Sequence, residues 1–361
     1  MFTSLAIKNF RGFKDLKVEP LDRVNLIAGK NNTGKTAVLE AMYLHCNPCT
    51  PSALVHVNEQ RGIHNPRVED VADWLFFNPS QPLITHSNDN QGVGRTAELA
   101  VVDVQTAQRP EYEDARKLFV AALRPEWWTN GARHAVMRYS DTEGRAGLGV
   151  GVAADHSFPE IWQLNRMPAP CIFISARDRV IGGDLRPADD PATALFSDIE
   201  REGRQNEILP VLQVLDPRLR DLALLLFNEK ITINAQLEGM RRKIPLALVG
   251  EGLTRVLLLS LAIARASPGI ALIDEIENGL HYSVLVDVWR AIAEAARRLD
   301  VQVFATTHSW ECIRTAHEAF SQDGPYDLRL HRLDRIDGNV QAVTYDQETL
   351  GTSVEMAMEV R

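Results

Sequence analysis

Eight consecutive residues, Gly29-Lys30-Asn31-Asn32-Thr33-Gly34-Lys35-Thr36, satisfy G-x-x-x-x-G-K-[ST] in full. In such a loop the glycines let the backbone curl until successive N–H groups point into one concavity that suits phosphate oxygens. Lys35 then meets the β- and γ-phosphates, and the Thr36 hydroxyl ligates Mg²⁺. The expected nucleotide contacts are Gly29, Asn31, Asn32, Thr33, Gly34, Lys35, Thr36 and Ala37. Far along the chain, Asp274-Glu275 closes the apolar run Ile270–Ile273. There Asp274 would orient the Mg²⁺ shell, and Glu275 would polarise the attacking water. His308 follows another apolar run, Val301–Ala305, by way of Thr306-Thr307, and is placed to hydrogen-bond a γ-phosphate. Lys35, Glu275 and His308 are thus the expected catalytic set, and Thr36 and Asp274 the expected metal ligands.

Gly250-Glu251-Gly252 opens an apolar helical stretch and reads as a second anion site at a helix N-terminus. The first phosphate already has its own helix. Gly250 and Gly252 are therefore expected to cap a γ-phosphate held by a second copy of the chain. A tight turn required by packing is the plainer alternative.

These residues need a scaffold, and the sequence suggests one. Val24–Ala28 is a short apolar run ending at Gly29, as a buried parallel strand would, and Ala37–Cys46 has helical spacing. Leu5 and Ile7 alternate with polar or small neighbours, Leu16–Val18 reads as a partner strand, and β-type runs recur at 97–104, 135–139 and 148–153. Cys171–Ser175 is a further apolar strand. Residues 177–228 contain Leu-rich stretches, 208–215 and 219–227, that read as helices of a short inserted arm. Leu253–Ala266 predicts a buried helix, and 285–299 an amphipathic one. Asp337-Gly338 between 328–333 and 340–345 predicts a hairpin. The expected fold is α/β: a mainly parallel core sheet, an antiparallel β lobe and a helical arm. The loop near residue 30 and the acidic pair near 274 must meet. Segments 1–176 and 229–361 are therefore expected to form one head, with 177–228 inserted.

Taken in this order, the motifs resemble the ABC-type ATPase head shared by SMC, RecF and OLD (overcoming-lysogenisation-defect) proteins. Ile7–Phe13 resembles that group's first strand, Gly250-Glu251-Gly252 with Arg255 the OLD-like signature, Asp274–His281 its Walker B and D-loop, and Thr306–Ser309 its His-switch. The resemblance implies ATP and Mg²⁺ as cofactors and heads that dimerise around two ATP molecules. It also implies a separately encoded Toprim-like effector, commonly in defence against phage. About fifty residues follow His308, too few for a Toprim module in this stretch. For the Gln of the family's Q-loop, Gln60, Gln81 and Gln91 all remain candidates. A RecF-like DNA clamp and a non-hydrolysing ATP-binding scaffold are the alternative functions.

The 39 Lys+Arg against 48 Asp+Glu give −9, which excludes a DNA-coating role through net charge and favours a protein partner. Four cysteines make no disulfide framework. No signal peptide or membrane span is read, so a cytoplasmic protein is expected. Cys46-x-x-Cys49 is weak for zinc and more readily a packed helix end. Arg177, Arg179, Arg186 and the run Arg241-Arg242-Lys243 divide evenly between ligand contact and solvated charge. Phe76-Phe77 and Trp127-Trp128 read as packing.

Overall fold

The computed structural model describes the chain except residues 64–73, 124, 131–132, 153–159, 165–168, 183–189, 228–229, 323, 357, 359 and 361. Arg186 and the start of the helical piece expected at 71–77 lie outside the described residues, as does the Trp127 side chain. The chain divides into two units. One comprises Met1–Leu21, Lys30–Ala169 and Leu333–Thr344; the other comprises Asp22–Gly29, Pro170–Arg332 and Tyr345–Arg361.

The first unit is built on an antiparallel sheet. Its strands are β1 (Phe2–Phe10), β2 (Phe13–Val18), β4 (Leu83–Asp89), β5 (Gly94–Asp103), β6 (Arg133–Asp141), β7 (Ala146–Val152) and β8 (Glu160–Leu164). They lie in the order β2-β1-β4-β5-β6-β7-β8, with antiparallel pairing throughout. Along β4 burial alternates residue by residue, as it does when one face of a sheet is covered. Helix α1 (Lys35–Cys46) is buried on all sides from Ala37 onward and packs with α2 (Ala53–Glu59).

Two polar residues of α1 are therefore enclosed. Glu40 is fully buried; it accepts from Arg61 Nε at 2.6 Å and Nη2 at 3.0 Å and forms an ion pair with Arg11, whose Nε lies 2.5 Å away. His45 lies between the Thr85 and Ser87 hydroxyls of β4, at 2.8 and 2.7 Å, and burial pushes its pKa down to about 3. Trp128 and, from α3 (Glu113–Ala122), Phe119 sit in a satellite core with Val136 of β6 and Val150 of β7. Cys46 and Cys49 are buried thiols, and a Cβ on Gly149 would lie 2.0 Å from the Cys49 carbonyl oxygen. The C-x-x-C is thus a close packing contact against β7. Among the described residues no His/Cys/Asp/Glu group of three or more could hold a metal.

The second unit has a mainly parallel sheet, as expected. Its strands β3 (Val24–Gly29), β9 (Cys171–Ile174), β14 (Gly269–Ile273) and β15 (Val301–Thr306) run parallel in the order β9-β14-β15-β3. Each is apolar and almost wholly buried, because helices cover both faces of a parallel sheet. The short β10 (Val180–Ile181) returns antiparallel beside β9. At the other edge β16 (Leu328–Ile336) begins beside β3 and carries the chain out of this unit, forming with β17 (Asn339–Tyr345) a hairpin that belongs mostly to the first unit. The turn between them holds Asp337 and Gly338 at φ 50° and 81°, the left-handed pair that the hairpin signal requires. The core combines these strands with α4 (Pro191–Arg201), α5 (Leu209–Leu215), α6 (Glu251–Arg265), α7 (Leu285–Arg298) and α8 (Trp310–Gln322). The last helix, α9 (Gln347–Glu355), starts with an Asp346–Thr349 capping box.

One expected helix is a strand. Leu219–Phe227 forms β11, paired antiparallel along its length with β12 (Lys230–Leu237), which also pairs with β13 (Ile244–Pro245). Leu219 and Leu222 are both buried although three residues apart. The reason is a register shift between Leu219 and Asp221, which changes the phase of the pleat and mimics helical spacing. The remainder of the expected arm does contain helices. Leu195, Phe196 and Ile199 of α4 enter the main core of this unit.

Candidate nucleotide site

Within the second unit, three strands deliver their carboxyl ends to one edge. Ile273 pairs with Ala305 and Thr306 with Ile27, so β14, β15 and β3 finish level with one another. Beyond them come Asp274-Glu275, Thr307-His308 and Gly29. Backbone bonds tie the exits together: Thr307 N–H donates to the Ile27 carbonyl (3.0 Å), and Ile276 N–H to the Thr306 carbonyl (3.1 Å). The carboxyl edge of a parallel sheet is where α/β proteins bind ligands.

Thr306 organises the acidic pair. Its hydroxyl donates to Asp274 Oδ1 at 2.6 Å and accepts the Glu275 N–H at 2.8 Å. Asp274 is buried, with 7% of its surface exposed. Glu275 has φ 48°, a left-handed conformation that costs a non-glycine residue of order 1–3 kcal/mol and is held only where its surroundings determine it. Glu277 fastens the neighbouring exit. Its Oε1 accepts from the Thr307 hydroxyl (2.8 Å) and the His308 N–H (3.0 Å), and His308 Nδ1 lies 3.3 Å away. The imidazole is itself mostly exposed at this edge.

The phosphate loop links β3 to α1. Asn32 and Gly34 adopt φ 64° and 100°, and the Lys30 carbonyl accepts from the Thr33 N–H (3.3 Å), the Thr33 hydroxyl (2.9 Å) and Lys35 Nζ (3.2 Å). This curl is the one a nest of N–H groups requires. Gly34 is the N-cap of α1, so no side chain stands over the helix's positive end. A Cβ on Gly34 would lie 2.6 Å from Phe13 Cζ, and Phe13 is buried. The aromatic ring at the end of Asn9–Phe13 thus underlies the loop. Gly34→Ala should lose about 2–4 kcal/mol, combining left-handed strain with overpacking. Urea unfolding of the variant checks this, and an unchanged midpoint would show that Phe13 simply moves aside.

Thr36 and Asp274 offer a hydroxyl and a carboxylate oxygen, the hard donors that Mg²⁺ takes with phosphate oxygens and water. Each side chain is, by its own chemistry, a donor that the ion accepts. Gly250 and Gly252 stand at the start of α6, whose N-cap is Gly250. Among the described residues, a Cβ on Gly250 would meet nothing within 4 Å, and one on Gly252 would make ordinary contacts, 3.7 Å from the Gly279 carbonyl oxygen and 3.8 Å from Leu280 Cδ2. Among the described residues, no close contact at either position calls for a glycine.

Gln60, Gln81 and Gln91 are carried at the end of α2, in the turn before β4 and in the turn after it, and none lies on a strand of the second unit's sheet. Beside Asp274 the sheet instead brings the exit of β9, since Ile174 pairs with Ile273. There Ser175 Oγ accepts the Arg177 and Arg179 N–H groups at 3.3 and 3.2 Å, and Asn278 Nδ2 donates to the Ala176 carbonyl at 2.7 Å. The sequence signal for this loop was only a polar residue ending the run Cys171–Ile174. Farther off, Lys243 pairs with Asp221, a solvated-charge role.

Comparison with known proteins gives two family matches. Residues 1–73 match the "AAA ATPase domain" model, and residues 170–313 match "AAA domain, putative AbiEii toxin, Type IV TA system". An ATP/GTP phosphatase of Helicobacter pylori is 23% identical over 373 residues, covering 97% of each chain. The DNA replication and repair protein RecF of Pseudoalteromonas translucida is 38% identical over 115 residues, 29% of this chain and 32% of that one. Among solved structures, an SMC head bound to the C-terminal winged-helix domain of ScpA aligns over 97% of this chain and 99% of its own, with 12% identity and TM-score 0.49. The SMC head domain of Thermotoga maritima aligns over 96% and 99%, with 14% identity and TM-score 0.44. No helix among the described residues is long and apolar enough to cross a membrane. The two matched stretches hold the phosphate loop and the acidic pair respectively, Gly29–Thr36 falling within 1–73 and Asp274-Glu275 within 170–313.

Proposed function

We propose that this chain is an Mg²⁺-dependent ATPase of the OLD-like ABC class, with 1–176 and 229–361 acting as one head. The observation that carries the reading is the common edge at which Gly29, Asp274-Glu275 and Thr307-His308 emerge. Gly29 to Ala37 cradle the phosphates, Lys35 neutralises them, Thr36 and Asp274 hold the ion, Glu275 polarises water, and His308 meets the γ-phosphate. The ion supplies electrostatic stabilisation of the transferred phosphoryl group. Two copies associate through ATP, each offering Gly250 and Gly252 to the other's nucleotide. The open space around Gly250 supports that role. Hydrolysis then separates the copies and switches a separately encoded effector of Toprim-like or other type, with defence against phage as the setting.

Glu275→Gln is expected to bind Mg²⁺-ATP, fail to hydrolyse it and accumulate as a dimer on size exclusion. A protein that stayed monomeric at every nucleotide and protein concentration would overturn the dimer reading. Steady phosphate release that depends on Glu275 would exclude a non-hydrolysing scaffold. The RecF stretch favours one further reading, a DNA clamp, which tight salt-dependent DNA binding by the chain alone would establish.

A further inference from the structure

Arg255 lies one turn into α6 and is almost wholly buried, with 4% of its surface exposed. Its Nη2 donates to the carbonyl oxygens of both Asp274 (3.3 Å) and Glu275 (3.2 Å), and its Nη1 pairs with the Asp178 carboxylate on the loop leaving β9. Its Nε is buried without a hydrogen-bond partner among the described residues. Burying a guanidinium with an unpartnered N–H is unfavourable for stability alone, so packing is a poor account of it. What Arg255 touches is more telling. Glu275 has a left-handed backbone whose N–H is taken by Thr306 and whose carbonyl is taken by Arg255. The two contacts clamp the residue from both sides.

We infer that Arg255 is a positioning residue that fixes the backbone of Glu275, and with it the aim of the carboxylate, from the helix that Gly250-Glu251-Gly252 opens. The inference rests on the ATPase reading above. Contact made at Gly250 and Gly252 is then mechanically joined to the acidic pair of the same copy, through one side chain. Asp178 holds the far side of the guanidinium and keeps its fork turned toward the two carbonyls.

The test measures kcat, KM and the Kd of a fluorescent ATP analogue for Arg255→Lys and Asp178→Asn in the full chain with Mg²⁺. Lysine keeps the charge but loses the planar fork. We expect kcat of Arg255→Lys to fall roughly 10- to 100-fold, the scale of a small misplacement of a reacting group, with Kd unchanged. Asp178→Asn should lower kcat less, again without moving Kd. In a Glu275→Gln background, Arg255→Lys should reduce the residual rate no further, because the two act as one unit. Wild-type kcat in both variants would overturn the inference, as would kcat and Kd failing together or a further loss beyond Glu275→Gln. If Arg255→Lys does not fold, the exposed Asp178→Asn decides alone. Full hydrolysis by Glu275→Gln by itself would instead overturn the underlying assignment of Glu275, and the inference with it.

Discussion

Lys35→Ala loses nucleotide binding by roughly 100-fold, because about 3 kcal/mol is what a charge-assisted hydrogen bond to a buried anion contributes. The lysine is local to the loop. Its Nζ rests 3.2 Å from the Lys30 carbonyl, across the curl that Gly34 closes. An ammonium parked on a carbonyl gives up a weak contact when phosphate oxygens arrive and gains a strong one. Removing it leaves the N–H nest and the helix end, so the fold should persist while affinity falls. Calorimetric titration with Mg²⁺-ATP checks this, alongside an unfolding curve. Affinity within a few fold of wild type would mean that the backbone alone holds the nucleotide.

Glu40→Ala should be the most destabilising of the single changes, by roughly 3–5 kcal/mol. Glu40 is fully enclosed in α1 between two arginines, and the Arg11 side chain is itself mostly buried. Burial pushes the Arg11 guanidinium down from its ordinary pKa, while Glu40 pulls the other way. Without the carboxylate, the mostly buried Arg11 is left uncompensated beside a second cation, the more exposed Arg61. Replacing all three residues with apolar ones of similar volume should restore most of the loss, since the cost arises from the uncompensated charge. Urea unfolding of the single and triple variants separates the two. A single variant within 1 kcal/mol of wild type would show that water reaches the pair.

The candidate site was readable where its chemistry is contiguous. Gly29–Thr36 announces its own backbone, and Asp274-Glu275 and Thr307-His308 each close an apolar run that is a parallel strand. The loop after β9 was not readable, because what brings it beside Asp274 is the pairing of 171–174 with 270–273, a contact across about a hundred residues. Arg255 was visible only as part of a motif, since its partners are two distant carbonyls and a loop aspartate. At β11 local spacing misled outright. A single register shift gave Leu219 and Leu222 the interval of a helix, and only pairing with β12 reveals the strand. Glu40 and His45 sit on a helix buried all round, where the hydrophobic pattern no longer tells an inner face from an outer one.

The placement of β3 has a consequence for how the chain is made. Val24–Gly29 is translated long before its neighbours in the sheet, β15 and β16, which begin only at Val301 and Leu328. At ribosomal speeds of about 5–20 residues per second, the strand waits on the order of tens of seconds for β15. Throughout that interval Val-Asn-Leu-Ile-Ala is an unpaired, largely apolar segment, the kind that chaperones cover and aggregates recruit. The strand that leads into the phosphate loop is thus made well ahead of both strands it must pair with, and is among the last to find its place.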